Sequence, residues 1–149
     1  MRRFIAAGFG AGYLPGLVRG SDAGAGTVGS VLAALIAAGL WSFPLWVHLV
    51  VTAIMIGLSL WAPTPFLAEE HDPGWVVIDE MAGTMVALIG LRGFPWATAF
   101  VVFRLADIFK QVPGVGQAES LPGSLGVTAD DLVAGAYGLA TGWALTALT

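Results

Sequence analysis

The 149-residue sequence contains no cysteine and only two histidines. Disulfide frameworks, thiolate metal centres and cysteine nucleophiles are therefore excluded. Charge is scarce as well. Six Lys or Arg and ten Asp or Glu amount to 11% of the chain, where a soluble domain carries about 25%. So few charges cannot cover a water-facing surface, and the chain is too hydrophobic for disorder. No run of Lys or Arg offers a nucleic-acid surface, and the net charge is only −4. What the chain has instead is apolar residues, at 57%, with a mean hydropathy of +0.84. Its length suits a single domain over 1–149, and its composition makes that domain a polytopic membrane protein.

Apolar stretches run over about 28–43, 44–62, 75–91, 94–110 and 129–148. A spanning helix needs about 17–25 residues. No segment alternates with period two, so helices are expected rather than strands. The expected fold is an all-α membrane bundle of about five spans. Pro44 and Pro95 stand where helices would restart, and only Ser42-Phe43 and Arg92-Gly93 separate the paired spans, as in tight hairpins. The longer segments 1–27, 63–74 and 111–128 then share one face. That face holds Arg2, Arg3, Arg19 and Lys110, against Arg92 opposite, and the positive-inside rule places it in the cytoplasm. Trp41, Trp46, Trp96 and Trp143 near the outer span ends, with Trp61 and Trp75 near the inner ones, make an aromatic belt. Arg2-Arg3 before an apolar stretch faintly resembles a signal sequence, but Gly8, Gly10 and Gly12 interrupt it. An interfacial or re-entrant glycine-rich segment is expected there.

The informative charges lie where a membrane disfavours them. Asp79 and Glu80 fall about 6–8 Å into the third span. Arg104, Asp107 and Lys110 follow an i, i+3, i+6 spacing near the end of the fourth, and Asp130 and Asp131 open the fifth. All seven converge on the cytoplasmic face of a topology drawn from hydropathy and turns. Several have a plain structural reading: an Arg104–Asp107 ion pair, a Thr128–Asp131 helix cap, a snorkelling Lys110. Asp79-Glu80 has none, since its own span holds no cation. Intramembrane ionisable residues mark functional sites by default. Carboxylates without histidine or thiolate partners favour Mg²⁺ or Mn²⁺ over zinc, a usual setting for phosphoryl transfer. Arg104 and Lys110 could hold phosphate oxygens.

The run Gly24-Ala25-Gly26-Thr27-Val28-Gly29-Ser30 contains GxGxxG, but no strand precedes it, so a dinucleotide fold is not implied. It opens a helix, whose N–H groups with the Thr27 and Ser30 hydroxyls could bind an anion; a flexible, capped helix entry is the alternative. His71 lies in the inner loop within reach of the charged cluster. His48 reads as a hydrogen-bonded interior residue, and Gly138 with Gly142 as intramolecular packing.

These segments resemble the phosphatidylglycerophosphatase A family of bacterial membrane lipid phosphatases. The likeness lies in Gly8–Gly12 with Gly26-Thr27-Val28-Gly29-Ser30, in His71-Asp72-Pro73-Gly74 through Ile78-Asp79-Glu80-Met81-Ala82-Gly83, in Phe103-Arg104-Leu105-Ala106-Asp107-Ile108-Phe109-Lys110, and in Gly126-Val127-Thr128-Ala129-Asp130-Asp131. The chain departs from the family at Ala25 and Gln111, where proline is usual, and at Pro122-Gly123; 13–23 looks like an insertion. The resemblance implies Mg²⁺-dependent removal of the terminal phosphate of phosphatidylglycerophosphate at the cytoplasmic membrane. On that basis Asp79, Glu80, Asp107, Asp130 and Asp131 are candidate metal ligands. Asp79, Glu80, Asp107 and Asp131 are candidate catalytic residues, with Glu80 a candidate general base and an aspartyl-phosphate route open. Thr27, Gly29, Ser30, His71, Arg104 and Lys110 are candidate substrate contacts. The expected partners are the phospholipid and the membrane, with no nucleic acid; the sequence does not fix an oligomeric state. A small transporter or channel subunit is the rival class, weakened by the nearly charge-free outer half. The signatures of CDP-alcohol phosphotransferases and of histidine-dependent lipid phosphatases are missing.

Overall fold

The computed structural model describes residues 1–67 and 73–148, and the described residues are helices joined by turns, without a strand. The candidate contact His71 lies outside the described residues. The N-terminal head comprises α1 (Arg2–Ala6), a 3-10 turn (Ala11–Tyr13) and α2 (Leu14–Arg19). Then come α3 (Ala25–Gly39), α4 (Leu45–Trp61), α5 (Thr64–Leu67), α6 (Ile78–Ala87), α7 (Gly93–Phe109), α8 (Val115–Glu119) and α9 (Ser124–Leu148).

Two stretches, Ala25–Ser42 and Leu45–Leu67, are long and apolar enough to cross a membrane. The expected third span is shorter than hydropathy suggests. Its helix, α6, has ten residues, a rise of about 15 Å against a hydrocarbon core of about 30 Å. Both ends are cut by tertiary structure. The Val77 N–H donates to the Ala6 carbonyl at 3.0 Å, which ties the entry to the head, and beyond Ala87 the chain turns through Gly90, at φ 69°.

α6 is the central element. Eight of its ten residues are buried, and α3, α4, α7 and α9 pack around it. Phe103, Ile78, Met81, Met85 and Leu88 are the large side chains of this core. Small residues set the close spacing of α6 and α9. A Cβ at Gly83 would lie 2.7 Å from the Asp131 carbonyl oxygen, and one at Gly135 would lie 2.6 Å from the Gly83 oxygen. Side chains larger than hydrogen would force the two backbones apart. Gly138 packs in the same way against the Ala99 carbonyl, so the Gly138–Gly142 pair serves intramolecular packing.

α4 carries polarity on its inner side. His48, Thr52, Met55 and Ser59 are buried, whereas Leu45, Trp46, Leu49, Val50 and Ile54 are exposed. His48 Nε2 lies 3.2 Å from the Met85 carbonyl oxygen, the interior role expected of it. Tryptophans gather where the chain turns after α6: Trp41 Nε1–H donates to Leu91 O and Trp143 Nε1–H to Ile89 O, each at 3.1 Å. At the opposite end Arg2 lies over the Trp61 ring, 4.4 Å from its centroid, and donates to the Trp61 carbonyl. Tyr13 stacks on Trp75 there.

Candidate active site

The acidic centre forms where α6 begins beside the second turn of α9. Asp79 and Glu80 occupy the first turn of α6, where helix N–H groups and the macrodipole favour negative charge. Asp131 reaches them because the Gly83–Gly135 contact holds α9 against α6 one turn away. Asp79, Glu80 and Asp131 each offer an oxygen, all within 4.8 Å of one another. Oxygens around one Mg²⁺ at about 2.1 Å in an octahedron stand about 3–4.2 Å apart, so this set would have to draw in by only a few tenths of an ångström to take a small hard cation. Asp79 and Asp131 are 3% exposed, and Glu80 Oε2 and Asp131 Oδ1 are buried with no hydrogen-bond partner. Three carboxylates this close, Asp79 and Asp131 buried and Glu80 half-buried, repel one another and oppose burial unless a cation joins them.

The first turn of α3 walls the site. A Cβ on Gly26 would collide with the Glu80 carboxylate, so that position has room only for hydrogen. Beside it Arg104 on α7 joins two elements. It forms an ion pair with Asp107 through Nη1, and its Nη2 donates to Thr27 Oγ1 at 3.2 Å. Both partners of the ion pair are partly buried, and Thr27 is exposed. The Asp107 charge acts on Glu80 and Asp131. The site thus combines a carboxylate triad with one guanidinium, oriented by Asp107 and Thr27.

The other expected contacts are distributed differently. Ser30 is fully buried and its hydroxyl donates to the Gly26 carbonyl at 2.8 Å. Gly29 abuts Val77, where a Cβ would come within 2.9 Å of the side chain. These two residues position the helix, and Thr27 is the one facing the site. Asp130 is directed away from the triad. Its Oδ2 accepts from Lys110 Nζ at 2.9 Å and its Oδ1 from the Asp131 N–H at 2.9 Å.

Lys110 is likewise engaged, clasping Asp130 and also Glu119 of α8 at 2.6 Å. It ends α7 in the left-handed region, at φ 50°, a position usually given to glycine or asparagine. A lysine there costs about 1–2 kcal/mol of backbone strain, so its charge carries the position. Glu119 was not among the expected residues; a single acid in the 111–128 loop carries no signal of a partner nine positions back. The Thr128–Asp131 cap is absent as well. α9 starts one turn earlier, at Ser124 after the left-handed Gly123, and the Thr128 hydroxyl lies 2.6 Å from that of Ser59.

A family model described as phosphatidylglycerophosphatase A matches residues 4–146. The chain is 31% identical to a Bacteroides thetaiotaomicron protein provisionally named phosphatidylinositol-3-phosphatase, covering 89% of this chain and 86% of the relative. It is 34% identical to phosphatidylglycerophosphatase A of Escherichia coli K12, over 88% of this chain and 75% of that protein. It is 26% identical to the Haemophilus influenzae phosphatidylglycerophosphatase A, over 89% and 81%. No solved structure matches. The chain belongs to the phosphatidylglycerophosphatase A family and is a phosphatase.

Proposed function

We propose that this phosphatase hydrolyses the terminal phosphomonoester of phosphatidylglycerophosphate, giving phosphatidylglycerol and phosphate, in a Mg²⁺-dependent reaction at the cytoplasmic face of a bacterial inner membrane. The observation that carries the reading is the convergence of Asp79, Glu80 and Asp131 beside the Arg104–Asp107–Thr27 group. Family membership and the phosphatidylglycerophosphatase names of two relatives support the substrate. The inside-out polarity of α4, with polar groups buried and aliphatic ones outward, supports membrane embedding. About five crossings with the triad inward fit the excess of Arg and Lys on that side.

Asp79, Glu80 and Asp131 would hold the Mg²⁺, which when bound neutralises phosphate charge and makes a water more acidic. The protein supplies the rest. Arg104 presents its guanidinium to the phosphoryl oxygens, and Asp107 with Thr27 fixes that fork. Glu80, with Oε2 free of hydrogen bonds, accepts the proton of the attacking water. The water oxygen bonds to phosphorus as the P–O bond to the glycerol breaks, and the alkoxide takes the proton that Glu80 accepted. Lipid tails remain in the bilayer while the headgroup reaches a site about one helical turn below the surface.

The test is phosphate release by purified protein in detergent, with Mg²⁺ and then with EDTA, on phosphatidylglycerophosphate and on phosphatidylinositol 3-phosphate. Magnesium-dependent release from the first substrate, lost in Asp79→Asn, is the expected result. Release that persists in EDTA overturns the metal assignment, and preference for the second substrate overturns the headgroup assignment.

A further inference from the structure

Beside the triad, α2 and the start of α3 enclose a groove of about 470 Å³ lined by Leu14, Pro15, Val18, Arg19, Thr27 and Val28, among others. That volume lies within the range of ligand pockets, about 300–1,000 Å³. Two left-handed glycines shape it. Gly20, at φ 68°, ends α2 and Gly24, at φ 87°, precedes α3, so the chain doubles back within four residues and lays α2 over the entry of α3.

The groove has two chemistries. Leu14 and Val18, at i and i+4 on α2, line it and are exposed, Val18 at 81%. Arg19 closes the lining with a cation, and no carboxylate among the described residues pairs with it. Asp22 packs against Gly16 and Gly74 and does not line the groove. The groove also runs into the active site, because Thr27 both lines it and accepts from Arg104.

We infer that this groove seats the diacylglycerol end of the lipid being hydrolysed, with Arg19 against the bridging phosphodiester and Leu14, Pro15, Val18 and Val28 against the first acyl methylenes. The inference rests on the phosphatase reading above and extends it from the reacting phosphate to the rest of the substrate. A lipid with two phosphates one glycerol apart presents two anionic points beside an apolar tail. Arg104 with Thr27, and Arg19 with the α2 face, offer the matching pair of cations beside an apolar wall. Neutral glycerol backbones without the bridging phosphate would leave Arg19 unmatched.

The probe is phosphatidylglycerol, which keeps both acyl chains and the bridging phosphodiester but lacks the terminal phosphate. Retention of this lipid by the detergent-purified protein is measured by native mass spectrometry, with diacylglycerol, which keeps the acyl chains but lacks the phosphodiester, as the comparison. The wild type is expected to retain phosphatidylglycerol over diacylglycerol, Arg19→Ala to weaken phosphatidylglycerol retention about tenfold, the size of one lost charge-assisted hydrogen bond, and Val18→Trp, on the apolar wall, to weaken retention of both lipids. In kinetics on micellar phosphatidylglycerophosphate, Arg19→Ala is expected to raise KM with little change in kcat. Equal phosphatidylglycerol retention by all three proteins overturns the groove. So does parallel loss of both lipids in Arg19→Ala, which makes α2 a general membrane anchor. Failure of the wild type to release phosphate, with the retention pattern intact, overturns the phosphatase reading and leaves the groove standing.

Discussion

Glu80 lies directly against Gly26: the carboxylate fills the space that any side chain at position 26 would need. The general base candidate and the glycine-rich entry of α3 are thus one construction. A glycine in the first turn of a helix there is required for space rather than flexibility.

Gly26→Ala separates these effects. Alanine favours the helix by about 0.8–1 kcal/mol over glycine, so the fold is expected to survive with its melting temperature unchanged or slightly raised. The methyl group pushes Glu80 from its place. A displacement on the order of 1 Å costs about 10²-fold in rate, and phosphate release should fall by that order. Thermal unfolding and turnover measured on the same preparation check this. An active Gly26→Ala would remove Glu80 from the chemistry.

Asp131→Asn and Asp79→Asn are expected to abolish turnover while leaving the protein as stable as the wild type or more so without metal. Each removes a buried negative charge from a crowded triad, where like charges oppose one another. The response to Mg²⁺ should also differ. A ligand that binds only the folded state raises stability by about 2.7 kcal/mol at a hundred times its Kd, so Mg²⁺ should raise the melting temperature of the wild type and not that of Asp131→Asn. A triad variant that is stabilised by Mg²⁺ as strongly as the wild type would place the ion elsewhere.

Arg104 joins Asp107 to Thr27 through different nitrogens, a geometry lysine cannot reproduce. Arg104→Lys should therefore lower kcat/KM about tenfold or more even though the charge is kept. Thr27→Val removes one hydrogen bond, worth about 0.5–1.5 kcal/mol, and should have the smaller effect. Steady-state kinetics on both variants orders them, and equal activity of Arg104→Lys and wild type would make the guanidinium a structural strut.

Lys110 contrasts with Arg104. It holds buried Asp130 and partly exposed Glu119, so Lys110→Met is expected to act on stability before chemistry. Leaving Asp130 without its cation should cost about 1–3 kcal/mol, and Lys110→Met combined with Asp130→Asn should recover part of that loss. Chemical denaturation of the three proteins gives the comparison. Full stability in Lys110→Met would show that the clasp contributes nothing.

Much of this site was legible in the sequence because a membrane makes charge conspicuous. Asp79 and Glu80 stood out in an apolar run without a cation, and they do meet Asp131. His48 was readable as an interior residue for the same reason. Hydropathy could not show where α6 stops, since Trp75, Val76 and Val77 are apolar yet lie outside the helix, fixed by Ala6. Nor could spacing show that Asp130 and Asp131 part company, because it is the Lys110 clasp on α7 that draws Asp130 aside. The start at Ser124 also takes Thr128 from a cap to the Ser59 contact. Such outcomes are settled by long-range contacts that leave no local pattern.

The lack of cysteine makes the orientation directly measurable, since each introduced thiol is the only one present. Ser42, in the turn between α3 and α4, and Gln117, on α8, are exposed, and they lie at opposite ends of the bundle in the five-crossing arrangement. In intact cells a membrane-impermeant maleimide is expected to label Ser42→Cys and to leave Gln117→Cys unlabelled until the membrane is opened. The reverse pattern would turn the triad outward, away from a cytoplasmic lipid phosphate. Labelling of both from outside would require an even number of crossings between them, which the short α6 could bring about by packing inside the bundle without reaching the far side. Because α6 also supplies Asp79 and Glu80, that result would change the depth of the triad as well as the span count, and the headgroup would have to enter between α3 and α9 rather than from the membrane surface.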